Sequence, residues 1–525
     1  MSSRARISPW LLCAVVFAAA YWMFDLAGLR AGVPAPLDDT WEDGIIARLL
    51  WRGEWLRSHM LYPPLWGLID PATWTIPVLV HGPLLPLLLA VPLQVLGDPA
   101  LDHVAWLAAA FALLTSVVLF RLAARHFGDA VGAAAAGLFT VSPVVLEAVH
   151  HSLSVVLGAF LVTSVLNLVA RERPRGALAG ACAGLAYLVR PEMLVALPVV
   201  LLLMRSTRSG ERRRFLIVFL LCGSWWWWHH ARAIGHPLFN LTSYTLIGYW
   251  GDRPEASVMR DFALTPDRWP AELARQLPNL WRKWLEFFPH AAKKALEIPT
   301  GTTGWMAVIG LVTCLRDANT RRLAACALAL GAIPIAAMTL TVYQRLYLVP
   351  FAPLWALGAA LGARALFARL PDWAHRPRAW IGALALAALP STGPALATAT
   401  AQARLLERWI AQDRAQLAAL AARGDSPRPM FSDTPDFVAW TTGRPTFWVT
   451  RAEFVRLYPN VPTPVAGATT TDSDSTRFVR SGDSVPGGRS PSPSRRPARL
   501  PGHPGPGDLW FHVDPRDPAA NLDPP

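Results

Sequence analysis

The sequence is short of charge. Asp, Glu, Lys and Arg make up only 16% of its 525 residues, against 53% hydrophobic residues and a mean hydropathy of +0.31. A soluble domain carries about a quarter charged residues, so a water-soluble globular chain is excluded. Cysteine is scarce as well. Cys13, Cys182, Cys222, Cys314 and Cys326 each sit in or at the end of an apolar run, with no paired or metal-type spacing. That excludes a disulfide framework and gives no cysteine metal site. Internal repeats are missing too, and with them the inverted halves expected of many transporters. Present instead are 24 Trp, 47 Pro and several apolar runs long enough for the roughly 20 residues that cross a bilayer as helix. The composition is that of a polytopic, all-α membrane protein.

A net charge of +13 raises the question of nucleic acid. Its distribution answers no. The basic residues form small clusters between apolar runs: Arg4/Arg6, Arg121/Arg125, Arg171/Arg173/Arg175, Arg205 to Arg214, Arg316/Arg321/Arg322 and Arg364 to Arg378. This is the positive-inside pattern of cytoplasmic loops.

That pattern sets a topology. The first apolar run has no convincing small-residue cleavage site after it and is read as a retained span. With the N-terminus cytoplasmic, the span 8–29 leads out and about 30–76 is external. Span 101–122 returns, 129–149 and 152–170 go out and back, and 176–204 is a hairpin of two short helices broken at Arg190-Pro191-Glu192. Span 215–235 leads to a second external segment, 236–301. The runs 302–316, 323–342, 346–367 and 378–398 then alternate, leaving the C-terminus external. The run 76–97 is long enough to span, but a full crossing would put every later basic loop on the wrong side. It carries Pro77, Pro83, Pro86 and Pro92, each of which removes a helix hydrogen bond, so a re-entrant or incomplete crossing is expected.

Three domains follow: a membrane domain over 1–398, a small external α/β module over 399–464, and a tail over 465–525. The tail turns to Ser, Thr, Pro, Gly and Arg, a composition that cannot bury a core and reads as disordered.

The external side gathers the unusual charges. "DDTWEDG" begins with Asp38 and Asp39. Asp39 with Glu42 fits a capping box for a helix over 40–58, which accounts for one aspartate. Two adjacent acids repel, and a carboxylate so tuned suits a general base. The Trp225–Trp228 run matches an interfacial aromatic belt; His229, His230 and Arg232 beyond it match headgroup-level side chains. His150 and His151 lack a third ligand, so no metal set is read, and no cofactor is expected, with a divalent metal left open. Arg345, between Tyr343 and Tyr347 at the mouth of a span, is either a snorkelling side chain or a phosphate ligand. Arg190 between two apolar runs calls for a partner such as Glu192 or a polar cavity.

The order of these features resembles the GT-C class of membrane glycosyltransferases, in particular the protein O-mannosyltransferases and the lipid A aminoarabinose transferases. "LDDTWEDGIIARLLWRGEW" and "VLVHGPLLPLLLAVPLQVLG" resemble the start of that class. "LAYLVRPEMLVALPVVLLL" is similar to its short-hairpin segment, "WWWWHHARAIGHPLFNLTSY" to a span end, and "QRLYLVPFAPLWALG" to a segment before a late span. "FSDTPDFVAWTTGRPTFWV" resembles an external module of some bacterial members. The likeness covers roughly 8–460. Departures accompany it: Asp-Asp stands for Asp-Glu, His81-Gly82-Pro83 for His-Pro-Pro, Ala231-Arg232-Ala233 for an Arg-Asn pattern, and Arg345-Leu346-Tyr347 for Arg-Tyr.

The resemblance implies a GT-C-like helical bundle in the bacterial cytoplasmic (inner) membrane. It implies a cell-envelope transferase, mannosyltransferase-like, that moves a sugar from a polyprenyl-phosphate donor at the outer face, with inversion. The partners implied are that donor, membrane lipids, and a glycan, lipid or protein acceptor. Asp38 takes the place of the base, with Asp39 second; Arg345, His81, Tyr347, Arg232 and Arg190 take substrate-binding places. The rival readings are a membrane transporter or lipid flippase, and a non-catalytic assembly partner.

Overall fold

Lipid offers a backbone no hydrogen bonds, so apolar runs that enter it close their own as helices. The computed structural model describes residues 8–28, 40–97, 101, 103–206, 209–248, 257–261, 263–300, 303–318, 320–341, 345–394, 397, 430–432, 435–449, 478–480 and 510–512. In chain order the helices are α1 (Pro9–Gly28), α2 (Thr40–Trp51), α3 (Leu84–Leu96), α4 (Val104–Phe127), α5 (Asp129–Thr140), α6 (Pro143–His151), α7 (Leu153–Val169), α8 (Gly176–Val189), α9 (Leu197–Leu203), α10 (Ser209–Ile234), α11 (Trp269–Leu296), α12 (Gly304–Cys314), α13 (Arg321–Met338), α14 (Ala352–Phe367), α15 (377–394) and α16 (Pro435–Thr442).

By length and composition α4, α13 and Arg345–Phe367 can each cross a membrane, and α5 with α6, bent by 53°, forms either a broken span or a re-entrant loop. The bend falls at Ser142-Pro143, where proline disfavours the helical state of the residue before it. The chain is thus a multi-pass membrane protein. At the middle stands α7, every residue of which except Phe160 is buried, packed against α4, α8 and α14. The apolar run 76–97 forms a short strand and the 13-residue α3. Such a helix is about 20 Å long, well short of the roughly 30 Å hydrocarbon core.

Small residues let α12 and α14 approach closely. A Cβ on Gly310 of α12 would fall 2.1 Å from the Gly358 carbonyl oxygen, and one on Gly362 would fall 2.0 Å from that of Met306. Only backbone fits against backbone there, the small-residue packing that membrane helices use in place of a hydrophobic drive.

The two ends of the bundle differ. At one end Ser8 bonds Asp129, Arg125 donates to the Asn167 carbonyl at 3.2 Å, Glu211 accepts from the Gly176 amide at 2.7 Å, and Arg364 donates to the Phe127 carbonyl at 2.9 Å. At the other end the loops build a lobe. Met60, Tyr62, Leu79, Leu241, Tyr244, Met259, Trp269 and Phe447 share one apolar core, so 57–80, 241–248, 257–261, 263–269 and 446–449 pack together. The strands are β1 (Arg57–Ser58), β2 (Met60–Leu61), β3 (Ile76–Pro77), β4 (Met430–Ser432), β5 (Thr446–Trp448), β6 (Phe478–Arg480) and β7 (Trp510–His512). β1 pairs with β3; the others form one sheet in the order β2-β5-β4-β7-β6. β4, α16 and β5 make a parallel β-α-β unit, and β2 from the first loop adds to β5 in parallel.

One finding departs from the reading of the C-terminal region, and one part of that reading is not described. The amphipathic stretch Gln402–Arg423 lies outside the described residues. The tail over 465–525, read as disordered, contributes β6 and β7 to the sheet. Each is a triplet with apolar residues, Phe-Val-Arg and Trp-Phe-His, short enough to be swamped in the composition yet able to complete the hydrogen bonds of an open strand edge.

Candidate active site

The first helix after α1 positions the acids. α2 docks on α16 through aromatic packing: the Trp41 ring lies edge-on to Phe437 at 5.5 Å and 5.9 Å from Trp440. The Arg48 guanidinium stacks 3.7 Å from the Trp440 ring and donates to its carbonyl at 3.0 Å. This contact turns Glu42 and Asp43 inward, where both are buried. A buried carboxylate is costly unless hydrogen-bonded, and Glu42 is well supplied. Its Oε1 accepts from Ser58 Oγ at 3.1 Å; its Oε2 accepts from the Tyr62 hydroxyl at 2.7 Å and lies 3.0 Å from His81 Nε2.

Glu42, Asp43, Tyr62 and His81 line a cavity of about 600 Å³. Arg190, at the break between α8 and the 3₁₀ turn Pro191–Ala196, lines it as well. Its Nη1 donates to Ser154 Oγ at 2.9 Å, its Nε lies 3.6 Å from Glu192, and its guanidinium sits 4.4 Å from the Tyr347 ring. Met193, Pro334, Met338 and Phe351 make an apolar side, and Asp436 and Trp448 reach the cavity from the C-terminal module.

The segment 241–248 lines the cavity with Thr242 and Thr245. Lys283 of α11 holds it in place. This lysine is buried, and its ammonium donates to the carbonyls of Thr245, Leu246 and Gly248 at 2.9, 3.2 and 2.6 Å. Burial pushes its pKa down to about 8.

His81, Arg190 and Tyr347 therefore come together as residues of one cavity. Asp38 and Asp39 lie outside the described residues, next to Thr40, where α2 starts. Two further residues are not brought to the cavity. Arg345 pairs with Glu147 at 2.5 Å and is half exposed. Arg232 is exposed on α10 with its guanidinium 5.4 Å from Trp228. Glu42, read as half of a capping box, instead directs its carboxylate to Ser58, Tyr62 and His81, because burial calls for donors that solvent no longer supplies. The missed signal was a second pair of adjacent acids, Glu42 and Asp43, in the first turn of an otherwise apolar helix. Asp436 and Trp448 carried no local signal. Among the described residues, no cluster of three or more His, Cys, Asp or Glu side chains could hold a metal ion.

Gly82 explains a departure from the family pattern. A Cβ at this position would fall 2.1 Å from the Leu188 carbonyl oxygen and 2.7 Å from that of Val189. The loop bearing His81 passes flush against the end of α8, just before Arg190, and a proline ring would not fit.

Residues 80–228 match the family model described as dolichyl-phosphate-mannose-protein mannosyltransferase. No curated protein sequence matches the chain. Among solved structures, the oligosaccharyltransferase AglB from Archaeoglobus fulgidus, in complex with an inhibitory peptide and a dolichol-phosphate, superposes with a TM-score of 0.54 at 14% identity, over 83% of this chain and 64% of that one. The Archaeoglobus fulgidus oligosaccharyltransferase tethered to an acceptor peptide containing the NVT sequon gives 0.55 at 13% identity, over 85% and 64%. ArnT from Cupriavidus metallidurans in the apo state gives 0.48 at 15% identity, over 83% and 85%. The chain spans about 64% of the length of the archaeal chains. With a mannosyltransferase match running from the His81 loop into α10, and archaeal superpositions covering most of the bundle, the chain has the polytopic helical fold of the GT-C class of membrane glycosyltransferases.

Proposed function

We propose that this protein transfers a sugar from a polyprenyl-phosphate donor to an acceptor hydroxyl at the outer face of a bacterial cytoplasmic membrane. The observation that carries the reading is the single cavity that combines buried acids, a buried arginine and an apolar side. A donor of this class has the same three parts: a sugar with hydroxyls, an anionic phosphate and a lipid. The AglB structure, in complex with a dolichol-phosphate, supports a lipid-phosphate donor, and the peptide-tethered one an acceptor brought to the same fold. A transporter would place its charges at mid-membrane; the carboxylates here stand on α2, beside the lobe.

Phosphate is already a good leaving group, so the protein's task is to deprotonate the acceptor and hold the departing anion. Asp38, which leads directly into α2, takes the acceptor proton as the hydroxyl oxygen bonds to the anomeric carbon. The bond from that carbon to the phosphate oxygen breaks from the opposite side, inverting the centre. Arg190 stabilises the departing phosphate; a guanidinium donates two parallel hydrogen bonds to such an oxyanion. Glu42 orients His81 and Tyr62 at the cavity wall.

Asp38→Asn keeps the shape and removes the base. Transfer from a polyprenyl-phosphate sugar in membranes is expected to vanish while the protein still inserts and still binds donor. Near wild-type transfer by the Asp38→Asn and Asp39→Asn double variant would overturn the assignment.

A further inference from the structure

The C-terminal module brings two tryptophans to the bundle, and they are placed differently. Trp440 is 4% exposed, with Trp41 beside it and the Arg48 guanidinium 3.7 Å from its ring centre. Its role is packing. Trp448, the last residue of β5, is only half-buried and lines the cavity. Tyr62 meets it edge-on at 5.9 Å, and the Arg260 guanidinium stands 5.6 Å from its ring centre. At that distance the cation is attracted to the ring but does not lie flat on it as Arg48 lies on Trp440.

An indole left partly uncovered in a cavity, with charged side chains around it, fits a ligand that has an apolar face and a polar rim. The charged groups are Arg260 beside the ring and Asp436, from the first turn of α16, which lines the same cavity. A pyranose ring has this build, with C–H bonds on its faces and hydroxyls around its edge. An aromatic ring takes the apolar face, and charged side chains make the stronger hydrogen bonds to hydroxyls. An extended peptide meets poorer terms. It binds by adding a strand to an open ladder, but β5 is paired on both edges, by β2 and β4. The Met60 amide of β2 is taken by Ser58 Oγ at 3.0 Å.

These groups also come from a different part of the chain than the phosphate site. Arg190 and the apolar side belong to the helical bundle, whereas Trp448 and Asp436 arrive with the C-terminal module and Arg260 with the turn Ser257–Arg260. We propose that Trp448 is the stacking platform for a pyranose unit of the acceptor, with Asp436 and Arg260 holding its hydroxyls, so that the acceptor is a glycan. The word acceptor rests on the transfer reading; the binding of a pyranose at Trp448 does not.

The test uses the full chain in lipid nanodiscs, and its first arm needs no donor. Methyl mannoside, methyl glucoside and methyl galactoside are titrated as probes, beside a short Ser/Thr peptide. At least one pyranoside is expected to bind, weakened about ten-fold or more by Trp448→Ala and less than about three-fold by Trp448→Phe. Asp436→Asn should weaken it about five-fold. Binding of a polyprenyl phosphate in the same samples should stay unchanged, which shows that the variants are folded. Should Trp448→Ala lose both ligands, Trp448→Phe and Asp436→Asn carry the comparison. The second arm adds a labelled polyprenyl-phosphate mannose: Trp448→Ala should raise KM for the pyranoside and leave kcat little changed. Absence of pyranoside binding, or binding indifferent to Trp448 and Asp436, would overturn the platform. A peptide that binds and accepts sugar through Trp448 would overturn the glycan, and a rise in KM for the donor alone would give the ring to the donor's sugar instead. Binding that depends on Trp448 while no sugar moves would leave the pyranose site standing and count against the transfer reading.

Discussion

His81 Nε2 lies 3.0 Å from Glu42 Oε2, although one residue belongs to the loop before α3 and the other to the first turn of α2. The contact joins two segments that the sequence alone treats separately, and it stands in the wall of the cavity.

Glu42 is expected to be more sensitive than its distance from any chemistry suggests. Glu42→Gln keeps the shape but turns one acceptor into a donor facing Tyr62, Ser58 or His81. Leaving buried polar groups mismatched costs about 1–3 kcal/mol each, so thermal unfolding should shift down and transfer should fall by about ten-fold or more. Glu42→Asp, which shortens the reach, should show the same trend. An unfolding midpoint and a transfer rate both unchanged in Glu42→Gln would show that the carboxylate holds nothing.

Gly82→Ala tests the close approach of loop and helix. The added Cβ meets backbone oxygens of Leu188 and Val189, which cannot swing aside as a side chain would. Either His81 or the Val189–Arg190 corner must move, at a cost of about 1–3 kcal/mol. Transfer is expected to drop together with thermal stability. Gly53, with nothing within 4 Å of its Cβ position but a φ of +83°, is the control: Gly53→Ala should cost stability by backbone strain while leaving transfer unchanged.

The lobe should be acid-sensitive through His59. Burial and the nearby charges of Arg52 and Arg48 lower its pKa from 6.5 to about 4. Its carbonyl accepts the Thr446 amide at 2.8 Å, the join between the first loop and the C-terminal module. Below pH 6.5 the unfolded chain takes up a proton that the folded lobe refuses until about pH 4. The stabilisation is therefore complete above pH 6.5 and is lost as pH falls toward 4; a separation of that size corresponds to about 3 kcal/mol. Urea unfolding of the wild type should weaken across this window and that of His59→Phe should weaken less. Parallel pH curves would remove His59 as the cause.

How much of this was legible beforehand depended on range. Membrane helices announce themselves locally through apolar length, and basic clusters mark their ends, so α4, α7 and α10 stand where hydropathy put them. Arg190 was legible because a charge between apolar runs demands a partner, and Glu192 is close to it in the chain. The cavity was not. Glu42 looked like a helix cap because capping is a local pattern, whereas Ser58, Tyr62 and His81 reach it only after the first loop folds back. Asp436 and Trp448 arrive from the far end of the chain through β2–β5 pairing, which leaves no trace in local composition. Arg345 drew attention through its aromatic neighbours, but its partner Glu147 sits on another helix.

The last prediction sets two arginines against each other. Arg190 is buried, lines the cavity and is braced by Ser154, Glu192 and the Tyr347 ring. Arg345 is half exposed and paired with Glu147, outside the cavity lining. An exposed ion pair contributes about 0–1 kcal/mol, so Arg345→Ala should change transfer by less than about five-fold. A guanidinium that holds a phosphate in a dry site contributes on the order of 3 kcal/mol, so Arg190→Ala should lower transfer by about a hundred-fold. Arg190→Lys separates charge from geometry: it keeps the cation but not the planar fork, and should recover donor binding in part while transfer stays low. The measurement is the rate over a range of donor concentrations, with protein level checked in the same membranes. Loss of transfer in Arg345→Ala with none in Arg190→Ala would move the phosphate to the mouth of the Arg345–Phe367 span and leave Arg190 as a strut between α8 and α7.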